Sequence, residues 1–349
     1  MRWGILATGG IARTFVEDLL LMPDAEVVAV GSRSQEAARA FADRYGIARA
    51  HGDWPSLAAD PDLDVVYVAT PHSAHHAAAK LCLAAGRAVL CEKPLTLDEP
   101  SARDLVDTAR ATGSFLMEAM WTRCNPTIRQ VAGLVGDGAI GEVTSVNASF
   151  GLAGPFPTGH RLRDPALGGG ALLDLGIYPI TLAHLVLGRP DTVLAWAGLT
   201  PEGVDENTGM LFGYASGALA ALSCGIAGAS PMTATIVGRR GRVELPAPFF
   251  RPGRATVHRP GADPLVIATS LDGHGYLPQA AEVHRCLRAG LVESPLVPHR
   301  GTLEVMALMD EIRSQTGVTY PAIPRQAGAR GPATGRSGDG DADPVRTGG

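Results

Sequence analysis

The sequence has little that would staple, anchor or strongly charge it. Its 349 residues include five cysteines, Cys82, Cys91, Cys124, Cys224 and Cys286, an odd number, scattered and never in a CxxC pair. Neither a disulfide framework nor a tetrahedral zinc site is expected from that spacing. Reduced thiols fit a reducing compartment, so a cytoplasmic location is the expectation. No run of five or more Lys and Arg occurs and the formal net charge is only -5. Without a basic stripe to track phosphates, nucleic acid is not an expected partner. No stretch approaches the roughly 18 uninterrupted apolar residues of a membrane span. Met1 leads almost at once into a strand-like apolar run, not the charged, apolar and small-residue order of a signal peptide. No membrane partner is therefore expected, and no repeat of solenoid length is visible.

What is present is the composition of an ordinary globular protein, 46% hydrophobic and 19% charged. The length exceeds what one core usually organises, so two domains with a cleft between them are expected. From residue 1 to about 120, apolar runs (WGILA, AEVVAVGS, DVVYVAT, AVLCEK) alternate with amphipathic stretches. One of these places Ala37, Ala38, Phe41, Ala42 and Tyr45 at helical spacing. This alternation predicts an α/β fold whose N-terminal domain, residues 1–121, is a doubly wound parallel sheet of the Rossmann type. After Pro126 come EVTSVNASF, an apolar helix near 170–187, and seven strand-like runs from TVLAWAGL to LVIAT without intervening helices. That pattern predicts an α+β domain, residues 122–325, with a large, mainly antiparallel open sheet. Two late helices, about 277–290 and 301–316, are expected to cover one sheet face. Residues 326–349, rich in Gly, Ala, Arg and Asp, read as a disordered tail.

Chemistry-bearing residues fall at the predicted strand ends. The first strand runs into Ala7-Thr8-Gly9-Gly10-Ile11-Ala12, a glycine-rich turn before a helix, where a dinucleotide pyrophosphate meets backbone N–H groups and a helix dipole. It follows G-x-G-x-x-A except that Ala7 narrows the tight turn; a purely structural turn is the alternative. The second strand ends in Gly31-Ser32-Arg33-Ser34, with no acid for a ribose 2'-hydroxyl. A guanidinium and hydroxyls there suit a 2'-phosphate, so NADP is the expected cofactor, with NAD as the alternative. Arg33 as a plain surface residue is the competing reading. Thr70-Pro71-His72-Ser73-Ala74-His75-His76 and Cys91-Glu92-Lys93-Pro94 end two further strands, so Thr70, Pro71, His72, His75, Glu92 and Lys93 are expected around the cofactor. The Pro after Lys93 restricts its backbone and is a candidate cis peptide. The three histidines have no carboxylate or cysteine nearby to complete a metal set, so no metal is expected. Gly168-Gly169-Gly170 opens the apolar helix in which Asp174 and Tyr178 stand at i and i+4. A phenol becomes a usable proton acceptor if a lysine ammonium stabilises its phenolate. A helix-start acid beside an ordinary buried tyrosine is the structural alternative.

WGILATGGIA at 3–12, ATPHSAHHAAA at 69–79, CEKPLTLD at 91–98, MEAMWTRCNP at 117–126, GGGALLDLGIYPI at 168–180, ESPLVP and the closing MALMDEIR helix together resemble the glucose-fructose oxidoreductase, inositol dehydrogenase and rhizopine catabolism protein family, Gfo/Idh/MocA. The resemblance covers about residues 2–322. EAMWTR and DLGIYP are most similar to its branch of dimeric dihydrodiol dehydrogenases, NADP-dependent xylose 1-dehydrogenases and glucose-fructose oxidoreductase; inositol dehydrogenase-like members carry a histidine where Tyr178 stands. The resemblance implies Tyr178 as acid/base, Lys93 as its partner and Asp174 as the residue positioning substrate hydroxyls. It also implies that Trp121 and Arg123 stand at the cofactor cleft and that the open face of the C-terminal sheet forms a homodimer or dimer of dimers. Cys124 departs from the aromatic residue usual in that branch.

The expected activity is hydride transfer between NADP and a CH–OH or carbonyl group of a sugar, polyol or cyclic diol. His160, Arg161 and Arg163 are offered as polar contacts for such a substrate, with ordinary surface charge as the alternative. Two rivals remain: an enzyme that retains its cofactor through an isomerisation or glycoside cleavage, and a nucleotide sensor without catalysis.

Overall fold

The computed structural model describes residues 1–321; the tail expected at 326–349 lies outside the described residues. In the N-terminal half, the elements are β1 (Arg2–Leu6), α1 (Gly10–Leu19), β2 (Glu26–Gly31), α2 (Gln35–Tyr45), β3 (Arg49–His51), α3 (Trp54–Ala58), β4 (Val65–Val68), α4 (His75–Ala84), β5 (Ala88–Cys91), α5 (Glu99–Thr112) and β6 (Leu116–Glu118). The strands form one parallel sheet in the order β3-β2-β1-β4-β5-β6. Both faces are covered by helices, which is why β4 and β5 read as continuous apolar runs with every residue buried. The order reverses between β1 and β4, and the crevice beyond the strand ends at that point is where α/β sheets bind ligands.

The C-terminal half holds α6 (Trp121–Cys124), α7 (Pro126–Gly136), β7 (Val143–Gly151), α8 (Ile177–Leu187), β8 (Thr192–Leu199), β9 (Asp205–Gly213), β10 (Leu219–Gly225), β11 (Ala234–Gly238), β12 (Gly241–Leu245), β13 (Arg254–His258), β14 (Leu265–Ala268), α9 (Leu277–Arg288) and α10 (His299–Thr316). Its eight strands run β14-β13-β12-β11-β7-β10-β9-β8. All neighbours are antiparallel except β7 and β10, which pair in parallel. Alternation sorts the side chains: Ala220, Leu222 and Cys224 of β10 are buried with Met210 and Phe212 of β9. Leu194, Trp196, Leu211 and Leu219 point outward at 58%, 74%, 42% and 48% exposure.

One sequence expectation changes here, in the placement of the two late helices. The run Pro165–Leu187 is long and apolar enough to qualify as a span by length and composition, yet 78% of its apolar window is buried inside the fold; it is a core helix packed on β7 and β10. Of the two late helices, α10 lies against β8 and also on α5 and α8, but α9 packs on α1 and α6. The reason is polar as well as apolar: Trp3 Nε1 of β1 donates to His284 Nε2 of α9 at 2.9 Å. The second half thus reaches back over the first.

Candidate active site

One cleft of about 670 Å³ opens at the carboxyl ends of the parallel strands. One side of it is mostly backbone. Ala7, Thr8, Gly9, Gly10 and Ile11 line it where β1 turns into α1. Gly9 stands at the N-cap without a side-chain cap and no acid occupies the first turn, so the helix amides and dipole face the cleft unsatisfied. A Cβ at Gly9 or Gly10 would meet nothing within 4 Å; the space is open for a ligand. Ala7 has φ +104°, a left-handed conformation that favours glycine. Ser32 and Arg33 also line the cleft. Ser34, the third member of that sequence group, instead accepts the Ala37 N–H at 3.2 Å and caps α2. Thr70 Oγ1 at the end of β4 is buried without a hydrogen-bond partner, as a group awaiting a ligand would be. These features fit a dinucleotide: phosphate at uncapped amides, a guanidinium at the end of β2, and one free hydroxyl between.

The opposite side is made of side chains. Lys93, after β5, donates to the Asp174 backbone oxygen at 2.8 Å and to Asp174 Oδ1 at 3.1 Å, and its Nζ lies 5.0 Å from the centroid of the Tyr178 ring. Lys93 is thus bonded to Asp174 and lies over the tyrosine. Burial works against the ammonium, but Asp174, Tyr178 and Glu92 overcome it and raise its pKa above the usual lysine range. Burial likewise opposes the Asp174 carboxylate, but Lys93, and Arg161 at 3.0 Å, hold it well below the usual range. Tyr178 goes the other way: burial raises its phenol, more than Lys93 and the Trp121 hydrogen bond lower it. That bond runs from Trp121 Nε1 to the Tyr178 hydroxyl at 2.9 Å. The Lys93–Pro94 peptide bond is cis.

Asp174 and Tyr178 do not share a plain α-helix. Leu172–Gly176 is a π-helical turn that leads into α8, the kind of local widening often found at functional sites. The turn is held from below by Asp205, whose Oδ2 accepts the Leu172 N–H at 2.7 Å and the Thr208 hydroxyl at 2.6 Å. Gly170 has φ +105° and its Cα faces that same carboxylate with no room for a side chain.

The remaining expected residues separate. His72, Pro71, His75, Glu92 and Trp121 line the cleft. His72 Nδ1 lies 2.9 Å from the Gly168 carbonyl, and burial pushes its pKa down to about 3. His75 is enclosed between the Pro94 and Thr70 carbonyls at 2.8 and 2.9 Å, and burial pushes its pKa down to about 4 against the pull of those two acceptors. His76 faces Asp104 on α5, so the three histidines serve three different partners. Glu92 accepts the Tyr67 hydroxyl at 2.5 Å, and burial raises its carboxyl. Arg123 is a correction: it is buried away from the cleft, with Nη2 3.0 Å from His184 Nδ1. Of the loop residues, only Arg161 lines the cleft; His160 stacks on Phe156, and Arg163 pairs with Glu202 at 2.9 Å. Cys124 is buried and unpaired, as are the other four cysteines.

Sequence reasoning missed Tyr276, which stacks on Trp121 with centroids 4.3 Å apart and lines the cleft. It also missed Phe150 and Phe250, which pack against Tyr178 at 5.5 and 4.9 Å. The glycine-flanked aromatic in GHGYLPQ was a signal for the first; the other two lie in ordinary strand and turn sequence.

Residues 1–120 match the model of the oxidoreductase family with an NAD-binding Rossmann fold, and residues 128–244 match the GFO/IDH/MocA C-terminal domain. The chain belongs to the Gfo/Idh/MocA family. Among its relatives in that family, the trans-1,2-dihydrobenzene-1,2-diol dehydrogenase of Mus musculus is 36% identical, with 92% of this chain and 98% of the relative covered. The D-xylose 1-dehydrogenase (NADP(+)) of Hypocrea jecorina is 37% identical over 93% of this chain and 94% of its own length. A 3-ketoreductase from Actinomadura kijaniata, solved with NADP and TDP-benzene, superposes with a TM-score of 0.81 at 30% identity, covering 90% of this chain and 98% of that one. The parallel sheet is the Rossmann fold that the first of these models describes.

Proposed function

We propose that this protein is an NADP-dependent oxidoreductase moving a hydride between the cofactor and a CH–OH or carbonyl carbon of a sugar, polyol or cyclic diol. Tyr178 and Lys93 are its acid/base pair, and Asp174 positions substrate hydroxyls. The observation that carries this reading is the convergence in one cleft of the uncapped N-terminus of α1 with Lys93, Asp174 and Tyr178. The names of the mouse and Hypocrea relatives, a cyclic diol dehydrogenase and an NADP-linked sugar dehydrogenase, support the substrate class.

Bound NADP supplies the hydride donor or acceptor. Trp121 donates to the Tyr178 oxygen, which leaves the phenol's own hydrogen for a substrate oxygen. Because burial raises the phenol's pKa, Tyr178 is a proton donor at neutral pH, suited to a carbonyl whose carbon is being reduced. Lys93, kept charged by Asp174, stabilises the phenolate left behind. Oxidation runs these steps backwards, with the alcohol proton passing to Tyr178 phenolate, so it gains from alkaline pH. Trp121 and Tyr276 give the cleft an apolar wall for the C–H face of a ring. The test is absorbance of reduced nicotinamide while aldoses, polyols and cyclic diols are supplied with NADP and, separately, NAD. Turnover of one class with NADP is expected; silence across the panel despite NADP binding overturns the reading.

The same reading assigns the outer face of the large sheet to a second copy of the chain, because Leu194, Trp196, Leu211 and Leu219 expose apolar surface on three adjacent strands. Trp196→Glu is expected to sediment as a smaller species than the wild type; equal sizes refute the homodimer. The unpaired thiols support a cytoplasmic assignment, to be checked by fractionation.

A further inference from the structure

An acid has poor reason to be buried on the inner face of α1 unless both of its oxygens are used. Asp18 is 1% exposed, on the same helix as buried Phe15 and Leu19. Its Oδ1 accepts the His274 N–H and its Oδ2 the Tyr276 N–H, each at 2.7 Å, across more than 250 residues of sequence. The turn that presents these amides needs Gly273 at φ +61° and Gly275 at φ +100°. A side chain at Gly273 would collide with the Asp18 carboxylate, and one at Gly275 would press on the Trp121 ring. The Tyr276 ring then lies at 18° to Trp121, 4.3 Å away, with Phe15 of α1 at its edge, 6.3 Å away. Trp121 in turn donates to Tyr178. One continuous set of contacts therefore joins the helix whose N-terminus faces the cofactor side to the hydroxyl on the substrate side.

We propose that Asp18 is a positioning residue for proton transfer: it fixes the Gly273–Tyr276 turn, the Tyr276 ring fixes Trp121, and Trp121 fixes the Tyr178 hydroxyl. This inference rests on Tyr178 as the acid/base. Asp18 touches neither substrate nor cofactor; its removal displaces the donor that holds the Tyr178 phenol down. An amide at position 18 keeps one acceptor oxygen and loses the other, so Asp18→Asn releases one of the two N–H groups without emptying the site.

The test measures kcat, KM, NADP affinity and the pH–rate profile of Asp18→Asn. A kcat loss of about tenfold to a hundredfold is expected, as for a displaced catalytic group. NADP affinity should be unchanged, and the alkaline limb should move upward, because the Trp121 bond that lowers the Tyr178 pKa is weakened. Combined with Trp121→Phe, Asp18→Asn should add no further loss, since both act through one bond. Should Asp18→Asn fail to fold, Tyr276→Leu removes the ring and keeps the Asp18 acceptors occupied, and the same loss and limb shift are expected. Wild-type kcat and limb in either folded variant, or losses that multiply in the double variant, overturn the inference. Full activity in Tyr178→Phe is a different result: it overturns the acid/base reading itself.

Discussion

The two walls of the cleft are built in opposite ways. The wall proposed for the cofactor comes from short contiguous segments at strand ends, and its main donors are the amides of one glycine-rich turn. The wall proposed for the substrate is assembled from residues far apart in the chain: Lys93, Trp121, Arg161, Asp174, Tyr178 and Tyr276. Each of its charged groups depends on another. Lys93 is held charged by Asp174, and Asp174 is kept ionised by Lys93 and Arg161. A backbone wall tolerates changes of side chain; a side-chain wall fails as a unit.

That contrast is open to test. Tyr178→Phe is the largest expected effect: turnover should fall by about two to four orders of magnitude with NADP affinity retained, in an assay pairing steady-state rates with a cofactor titration. Unchanged turnover would break the division of labour. Arg33→Ala should weaken NADP by about tenfold to a hundredfold, the range for a charge-assisted phosphate contact, and leave NAD nearly untouched; equal weakening would remove Arg33 from the 2'-phosphate. A smaller effect concerns Asp205 beneath the π-helical turn, which burial pushes up to about 6 from 3.8. A carboxyl whose pKa is raised on folding holds its proton more tightly in the folded state, so its contribution to stability falls as pH rises from 3.8 through 6. Asp205→Asn should therefore gain stability over the wild type above pH 6 and not at pH 3.5, read from urea midpoints. The smallest is Ala7→Gly, which relieves the left-handed alanine and should stabilise by about 1 kcal/mol, with cofactor affinity unchanged. A lower melting temperature would show that the alanine is not strained.

The difference between the walls also explains what could be read from the sequence. Gly9, Gly10, Arg33, Glu92 and Lys93 were legible because each sits at the end of a recognisable apolar strand, so a local pattern fixes its place. Asp174 and Tyr178 were legible through the Gly168–Gly170 turn and the family resemblance. Tyr276, Arg161 and Asp205 owe their positions to long-range packing that no local period records. Arg123 shows the limit most clearly. It shares the short helix α6 with Trp121, but two residues turn a helix by about 200°, so when Trp121 faces the cleft Arg123 faces away, toward His184. The parallel pairing of β7 with β10 was equally invisible, because strand patterning carries no direction.

That parallel seam has a kinetic consequence. β11 to β14 can pair as successive hairpins, each closing a short loop. Ser145 of β7 meets Leu219 of β10 only after the chain between them, which includes the π-helical turn, has been gathered in. Loop-closure entropy falls most heavily on such a contact, and proteins rich in such contacts fold slowly. The segment bearing Asp174 and Tyr178 is enclosed by that closure and packs on both seam strands. A folding intermediate with the hairpins formed and the seam open would already hold much of its sheet and would lack the residues proposed for catalysis, so recovery of activity should trail recovery of β-structure during refolding.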